Sequence, residues 1–264
     1  MTNDNWGSTA RFGIFIVGNE VVPEAEWWAM APAGVSVHAA RVHAAAPWAP
    51  WKGDFVDLTS DLIRGAASFK GMALDAVVIA HTSSSVLGGQ GWDQAVINRL
   101  QAEVHPKTKV TTNGLDCAHA LTAMAVTKPF VIFPPWFGEE TIAAGMAYFA
   151  DLGFPNATPY HSNPGKQWAG VPPHDLYARL MHIEQDVDLL FDQIVANVPE
   201  DSDGILIAGT GVRCVGIIDT LEAKLGKPVV TANQASLWRC LGLAAVDTPI
   251  QGYVQLLLGP RDNI

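Results

Sequence analysis

"LDAVVIAHTSSSVLGG", residues 74–89, is the stretch on which the reading of this chain turns. Apolar residues run unbroken from Ala76 to Ala80 and stop at His81, Thr82, Ser83, Ser84 and Ser85. A short continuous apolar run predicts a strand covered on both faces. Its polar end has two readings. One is an ordinary loop whose hydroxyls cap the next helix. The other is a nest of N–H groups and hydroxyls that grips a carboxylate or phosphate, with His81 beside it as a base. An imidazole of ordinary pKa, about 6.5, suits proton transfer at neutral pH. The plain alternative for His81 is a hydrogen-bonded residue in the wall of the sheet.

A second stretch echoes the first. "SDGILIAGTGVRCVG" (202–216) also runs from an acidic residue through an apolar strand into a small polar loop and a helix. Its glycines, Gly209, Gly211 and Gly216, do not have the spacing of a dinucleotide fingerprint. The following "PVVTANQ" offers no acidic partner, and the P-loop lysine is absent. Gly209, Thr210 and Gly211 therefore read as a second anion-facing loop whose backbone a ligand can approach closely. Cys214 falls on the first turn of the predicted helix, where a thiolate is stabilised; the alternative is a small buried packing residue.

Around these two stretches, strands are predicted at 11–18, 34–42, 74–82, 109–114, 129–136, 156–162, 203–210 and 227–233. Helices are predicted at 23–31, 53–69, 90–104, 116–127, 139–152, 173–198, 215–225 and 234–244. Such alternation predicts an α/β fold with parallel sheets and helices on both faces. Eight strands form one doubly wound sheet or two of four. Ligands in open α/β sheets bind at the carboxyl ends of strands, near switch points; if the chain forms two halves that face each other, the two loops form opposite walls of one cleft. Asn19, Asn113 and Trp136 also sit at predicted strand ends. Asn113 has helix capping as its alternative, and Trp136 either closes an apolar pocket or simply packs. The Pro/Gly-rich "HSNPGKQWAGVPP" (161–173) reads as a mobile loop.

The 264 residues are 49% hydrophobic and 16% charged, enough apolar material for a core. A net charge of −10 with no Lys/Arg run argues against nucleic acid and anionic membranes as partners. No apolar run approaches the roughly 20 residues of a membrane helix. "MTNDNWGSTARFG" has no basic start followed by an apolar run, so no secretory signal is expected. Three separated cysteines, Cys117, Cys214 and Cys240, point to a reduced, cytoplasmic protein rather than a disulfide or zinc scaffold. Trp27, Trp28, Trp48 and Trp51 cluster near the N-terminus, as in a packed lid or a homo-oligomer contact. His38 with His43, and His174 with His182, lack metal spacing and read as surface or structural. No metal and no organic cofactor is expected.

At these residues the chain resembles the aspartate/glutamate racemase superfamily, in its maleate isomerase and arylmalonate decarboxylase branch. The resemblance is strongest in "DSDGILIAGTGVRCVGIIDTLEAKLGKPVVTANQASLW" (201–238) and extends to "VPEAEWWAMAPAGVSVHAARV" (22–42) and "DAVVIAHTSSS" (75–85). It implies two similar flavodoxin-like halves related by a pseudo-twofold axis, with the active site between them. We expect residues 1–112 plus 235–264 in the first half and 113–234 in the second. It further implies a small carboxylate held by N–H groups and hydroxyls at Thr82 and Ser83, Asn19 near the substrate, and Trp136 at an aromatic position after the fifth strand. The family places a cysteine at each of two equivalent strand ends. Here those positions hold His81 and, counted back from "LGKPVV", Gly209, while Cys214 falls five residues beyond. Two-thiol racemisation is therefore excluded.

Three functions follow. The first is an isomerase-type enzyme acting on a small carboxylate or dicarboxylate through an enediolate-like state, with His81 moving the proton. The second is a decarboxylase, lyase or hydrolase, with Cys214 as donor in the decarboxylase case. The third is a carboxylate-binding protein without catalysis.

Overall fold

The computed structural model describes residues 5–43, 55–259 and 261. The first series of elements is β1 (Ala10–Val17), α1 (Val22–Met30), β2 (Val35–Val42), α2 (Phe55–Phe69), β3 (Ala76–Ala80), α3 (Thr82–Gly88), α4 (Trp92–Gln101), β4 (Lys109–Thr112) and α5 (Asn113–Ala123). The second is β5 (Pro129–Phe133), α6 (Glu139–Asp151), β6 (Thr158–His161), α7 (Pro173–Ala178), α8 (Val187–Asn197), β7 (Gly204–Ile207), α9 (Ile218–Leu225), β8 (Val229–Thr231), α10 (Ala232–Leu243) and α11 (Val254–Leu258).

The strands form two parallel four-stranded sheets, in the orders β2-β1-β3-β4 and β6-β5-β7-β8. These are the same order, so the molecule is an α/β fold of two similar halves. In each sheet the order reverses between its first and third strands, and the crevice expected at such a switch point lies beyond their carboxyl ends.

Alternation along the buried strands distributes side chains to two layers. Phe12, Ile14 and Ile16 of β1 face a core shared by both halves, with Trp27 of α1, Leu121 of α5, Phe149 of α6 and Leu237 of α10. Phe15 and Val17 face the opposite side, with Leu62 and Phe69 of α2 and Leu100 of α4. The second sheet has its own outer layer, where Phe130 and Ile132 meet Ile194 of α8 and Leu221 of α9. Each such side chain, fully buried, contributes about 2 kcal/mol of transfer free energy. Helices α5 and α10, which follow the last strand of each sheet, pack against each other. Both end in the same way: Ala125 and Ala245 adopt left-handed backbone, and Val126 and Val246 donate back to Leu121 and Leu241.

Several elements differ from expectation. Strand β3 stops at Ala80, and Thr82 opens the short helix α3 rather than ending a strand. The region 173–198 is two helices. Leu180 adopts φ 65°, Leu180 N–H donates to the Tyr177 carbonyl and Met181 N–H to the Leu176 carbonyl, which closes α7 as a Schellman motif. Asp186 then caps α8 by accepting from Leu189 N–H at 2.9 Å. Of the tryptophan group, Trp27 is fully buried and Trp28 is 43% exposed; Trp48 and Trp51 lie outside the described residues. Among the described residues, no helix is long and apolar enough to cross a membrane.

Candidate functional site

The loops after β3 and β7 touch. Gly209 N–H donates to Thr82 Oγ1 at 3.2 Å, and Thr210 Oγ1 lies 3.1 Å from the Ala80 carbonyl oxygen. Two strands in different sheets, far apart in the chain, thus end at one place.

On the β3 side, His81 is the residue before α3, and its Nδ1 lies 2.7 Å from Ser84 Oγ. Burial pushes its pKa down to about 4. The ring is therefore neutral at pH 7, in contrast to the half-titrated imidazole expected from its ordinary pKa. Thr82 also donates to Asn113 Oδ1 at 2.5 Å, so its hydroxyl is engaged within the protein. Ser83 is half-buried. Ser85 donates to Asp93, which also accepts from Tyr148 of α6, so this hydroxyl has a structural partner.

Asn113 opens α5 directly after β4, and Asn233 is the second residue of α10 after β8. Asn113 Nδ2 donates to the Ala232 carbonyl at 2.8 Å and to Ser236 Oγ at 2.9 Å. With Oδ1 accepting from Thr82, its side chain is fully used in tying the halves together, which explains why it is wholly buried. Asn233 Nδ2 donates to the Thr210 carbonyl at 2.9 Å and to Glu26 Oε2 at 2.7 Å.

On the β7 side, Gly209 adopts φ 93°, a backbone state that any Cβ would strain. A Cβ at Gly211 would lie 3.0 Å from Glu20 Oε1 and 3.2 Å from the Trp136 ring, so the absence of a side chain there lets both neighbours close in. Among the described residues, the N–H groups of the buried Thr210 and Gly211 reach no protein acceptor. Backbone donors of this kind are completed by water or by a ligand.

The sequence reading missed Glu20, Tyr177 and His182. Asn19 is exposed, because the turn at Gly18–Asn19 sends its side chain outward and the next residue, Glu20, inward. Glu20 reaches Thr210 Oγ1 at 3.1 Å and is hydrogen-bonded to Tyr177. Burial raises its pKa to about 8, against the opposing effects of Thr210, Tyr177 and the Arg41 guanidinium. The Schellman turn after α7 reverses the chain, so that His182 stacks on Tyr177 with ring centres 4.3 Å apart. Trp136 meets both rings, at 5.7 Å and 6.2 Å. His182, expected at the surface or in a structural role, is fully buried, and its ring lies against the Asn19 backbone. An acidic residue in the turn that follows the first strand was the one available signal in the sequence.

Cys214 does not behave as a helix-start thiolate. Glu26 of α1 already accepts from the N–H groups of Cys214 and Val215, at 2.7 Å and 3.0 Å. A carboxylate therefore occupies the positive end of that turn. Burial and the Glu26 charge push the Cys214 thiol well above its ordinary pKa. It sits among Val212, Ile217 and Ile218, beside a separate cleft of about 640 Å³ between α1 and the loop after β7. Among the described residues, no group of three His, Cys, Asp or Glu side chains is arranged to hold a metal ion.

Residues 178–257 match the sequence model of the arylmalonate decarboxylase family. No curated protein matches the chain in sequence. Among solved structures, a variant maleate isomerase from Pseudomonas putida S16, solved with maleate, has a TM-score of 0.81 at 20% identity, over 95% of this chain and 98% of its own. A serine variant of the Nocardia farcinica maleate cis-trans isomerase, with a covalently bound succinylcysteine intermediate, has a TM-score of 0.73 at 16% identity, over 94% and 98% of the two chains. An arylmalonate decarboxylase has a TM-score of 0.69 at 19% identity, over 94% and 98%. The chain thus has the two-half α/β fold of the maleate isomerases and arylmalonate decarboxylase.

Proposed function

We propose that this protein is an enzyme of the maleate isomerase and arylmalonate decarboxylase branch of the aspartate/glutamate racemase superfamily, acting without a cofactor on a small carboxylate or dicarboxylate. The carrying observation is the direct bonding of the loops after β3 and β7, which brings His81, Thr82, Thr210 and Gly211 together across the two halves. The substrate carboxylate takes the unpaired N–H groups of Thr210 and Gly211, with Ser83 on the facing loop. Thr82 holds the two loops in register rather than meeting the substrate alone. As negative charge moves onto that carboxylate in an enediolate-like state, fixed donors in a dry site stabilise it. His81 moves the proton. Burial keeps its ring neutral, and the charge of a bound carboxylate raises its proton affinity.

The Nocardia structure carries a succinylcysteine adduct; in this reading the corresponding work falls to His81, since the strand ends here hold His81 and Gly209 and the Cys214 thiol is buried. Isomerisation is the first reaction to test. Decarboxylation is the second, favoured by the family match over 178–257. Purified protein is assayed on maleate, fumarate and phenylmalonate, alongside His81→Gln and His81→Ala. We expect a loss of at least about a hundredfold, the usual scale for removing a proton-transfer group. Turnover within about tenfold of the parent removes His81 from the reaction. Thermal stabilisation by a carboxylate that is never turned over favours a binding protein instead.

A further inference from the structure

We propose that Glu20, in its acid form, is a second proton-transfer group of this site, working with His81 and delivering a proton to the substrate carbon. This rests on the function proposed above.

The geometry identifies the proton. Thr210 Oγ1 lies 3.1 Å from Glu20 Oε2 and 3.1 Å from the Ala80 carbonyl oxygen. A hydroxyl has one hydrogen, and the Ala80 carbonyl only accepts. Both contacts are full two-centre hydrogen bonds when Glu20 carries a proton and donates to Thr210, which then donates to Ala80; with an ionised Glu20, Thr210 has one hydrogen to share between two acceptors. The short chain Glu20–Thr210–Ala80 thus favours a protonated carboxyl, to which Tyr177 is also hydrogen-bonded. Its backbone is also anchored, because Arg41 Nη1 donates to the Glu20 carbonyl at 2.6 Å.

The same carboxyl lies on the proposed carboxylate clamp. Its Oε1 is 3.0 Å from the place a Cβ would take on Gly211, whose N–H, like that of Thr210, reaches no protein acceptor among the described residues. A carboxylate seated on those two N–H groups carries its α-carbon beside Glu20. His81, next in chain to Ala80, approaches from the opposite half. Tyr177, hydrogen-bonded to the carboxyl, packs against Trp136 and His182, and a buried carboxyl stays un-ionised until a stronger base appears.

The step balances. The α-carbon of the enediolate supplies the electron pair for a new C–H bond, and the Glu20 O–H bond breaks, leaving a carboxylate. When the enediolate comes from decarboxylation, the C–C bond to the departing CO2 supplied that pair. Glu20 then recovers its proton from water.

The test is deuterium incorporation at the α-carbon, followed by NMR in D2O with phenylmalonate, phenylacetate, maleate and succinate. The parent is compared with Glu20→Gln and Glu20→Asp. Glu20→Gln is expected to lose at least about a hundredfold in C–D formation while the same carboxylate still raises its melting temperature. Glu20→Asp is expected to keep measurable exchange. A carbonyl stretch of a protonated carboxyl, present in the parent at pH 7 and missing in Glu20→Gln, is required independently of any substrate. Exchange in Glu20→Gln within about tenfold of the parent, or the absence of that infrared band, overturns the role of Glu20 alone. A parent that forms no C–D bond with any carboxylate overturns this inference together with the proposed function.

Discussion

Replacing Glu20 by glutamine has a consequence for folding that is independent of catalysis. The carboxyl has an ordinary pKa of 4.5 in the unfolded chain and about 8 in the folded one, because burial outweighs the stabilising effects of Thr210, Tyr177 and Arg41. A raised carboxyl pKa contributes its full stability below the unfolded value. That contribution is lost as pH rises, since the unfolded chain releases its proton first. Between pH 4.5 and about 8 the parent therefore loses stability with a slope of up to about 1.4 kcal/mol per pH unit from this residue, roughly 5 kcal/mol in all. Relaxation around the charged group and entry of water reduce this to about 2–5 kcal/mol. Glutamine carries no charge and can donate its amide to Thr210 as the acid does, so its folding free energy lacks this term. Asp116, raised to about 8 by burial, is common to both proteins and cancels in the difference. Urea titrations of the parent and Glu20→Gln from pH 5 to 9 should show near-equal stability at pH 5, with the variant ahead by about 2–5 kcal/mol at pH 9. Curves that stay parallel within about 0.5 kcal/mol across this range refute the protonated, buried Glu20.

Other outcomes follow from the same geometry. Burial holds the His81 ring neutral, with its pKa lowered to about 4, so its imidazole resonances should not shift between pH 5.5 and 8 in the unliganded protein; a titration near 6.5 assigned by His81→Gln contradicts this. All three cysteines are buried and their thiols raised in pKa, so a thiol reagent should label none of them in the folded protein within minutes and all of them on unfolding. Rapid native labelling of Cys214 restores it as a candidate donor. Gly209→Ala sets a Cβ 3.0 Å from Pro134 Cγ on a backbone at φ 93° and should cost about 2–4 kcal/mol in a urea titration; an unchanged midpoint means the loop is not fixed as described. Asn113→Ala strips partners from Thr82, Ala232 and Ser236 and should cost about 2–4 kcal/mol; a loss below about 0.5 kcal/mol denies it the role of strut between the halves.

The sequence by itself determined the parallel α/β class, and the two four-stranded sheets were decided between two open alternatives by the tertiary structure. Continuous apolar runs such as Ala76–Ala80 have to be covered on both faces, and the repeated strand-to-loop pattern at 74–89 and 202–216 follows from one strand order used twice. It also placed Thr82, Gly209, Thr210 and Gly211 at strand ends, because polarity changes abruptly there. Only the tertiary structure decided which side chains enter the site. Asn19 and Glu20 are neighbours in a polar turn, and nothing local states which of them points inward. Tyr177 and His182 sit in a region whose pattern reads as one helix, and the left-handed Leu180 that folds them together is not a residue that signals a break. The Cys214 thiol looks activated from its helix-start position, yet Glu26, distant in sequence, already holds the N–H groups that would have activated it. Proton affinities depend on burial and on partners brought from elsewhere in the chain, and these exist only once the two sheets have been packed together.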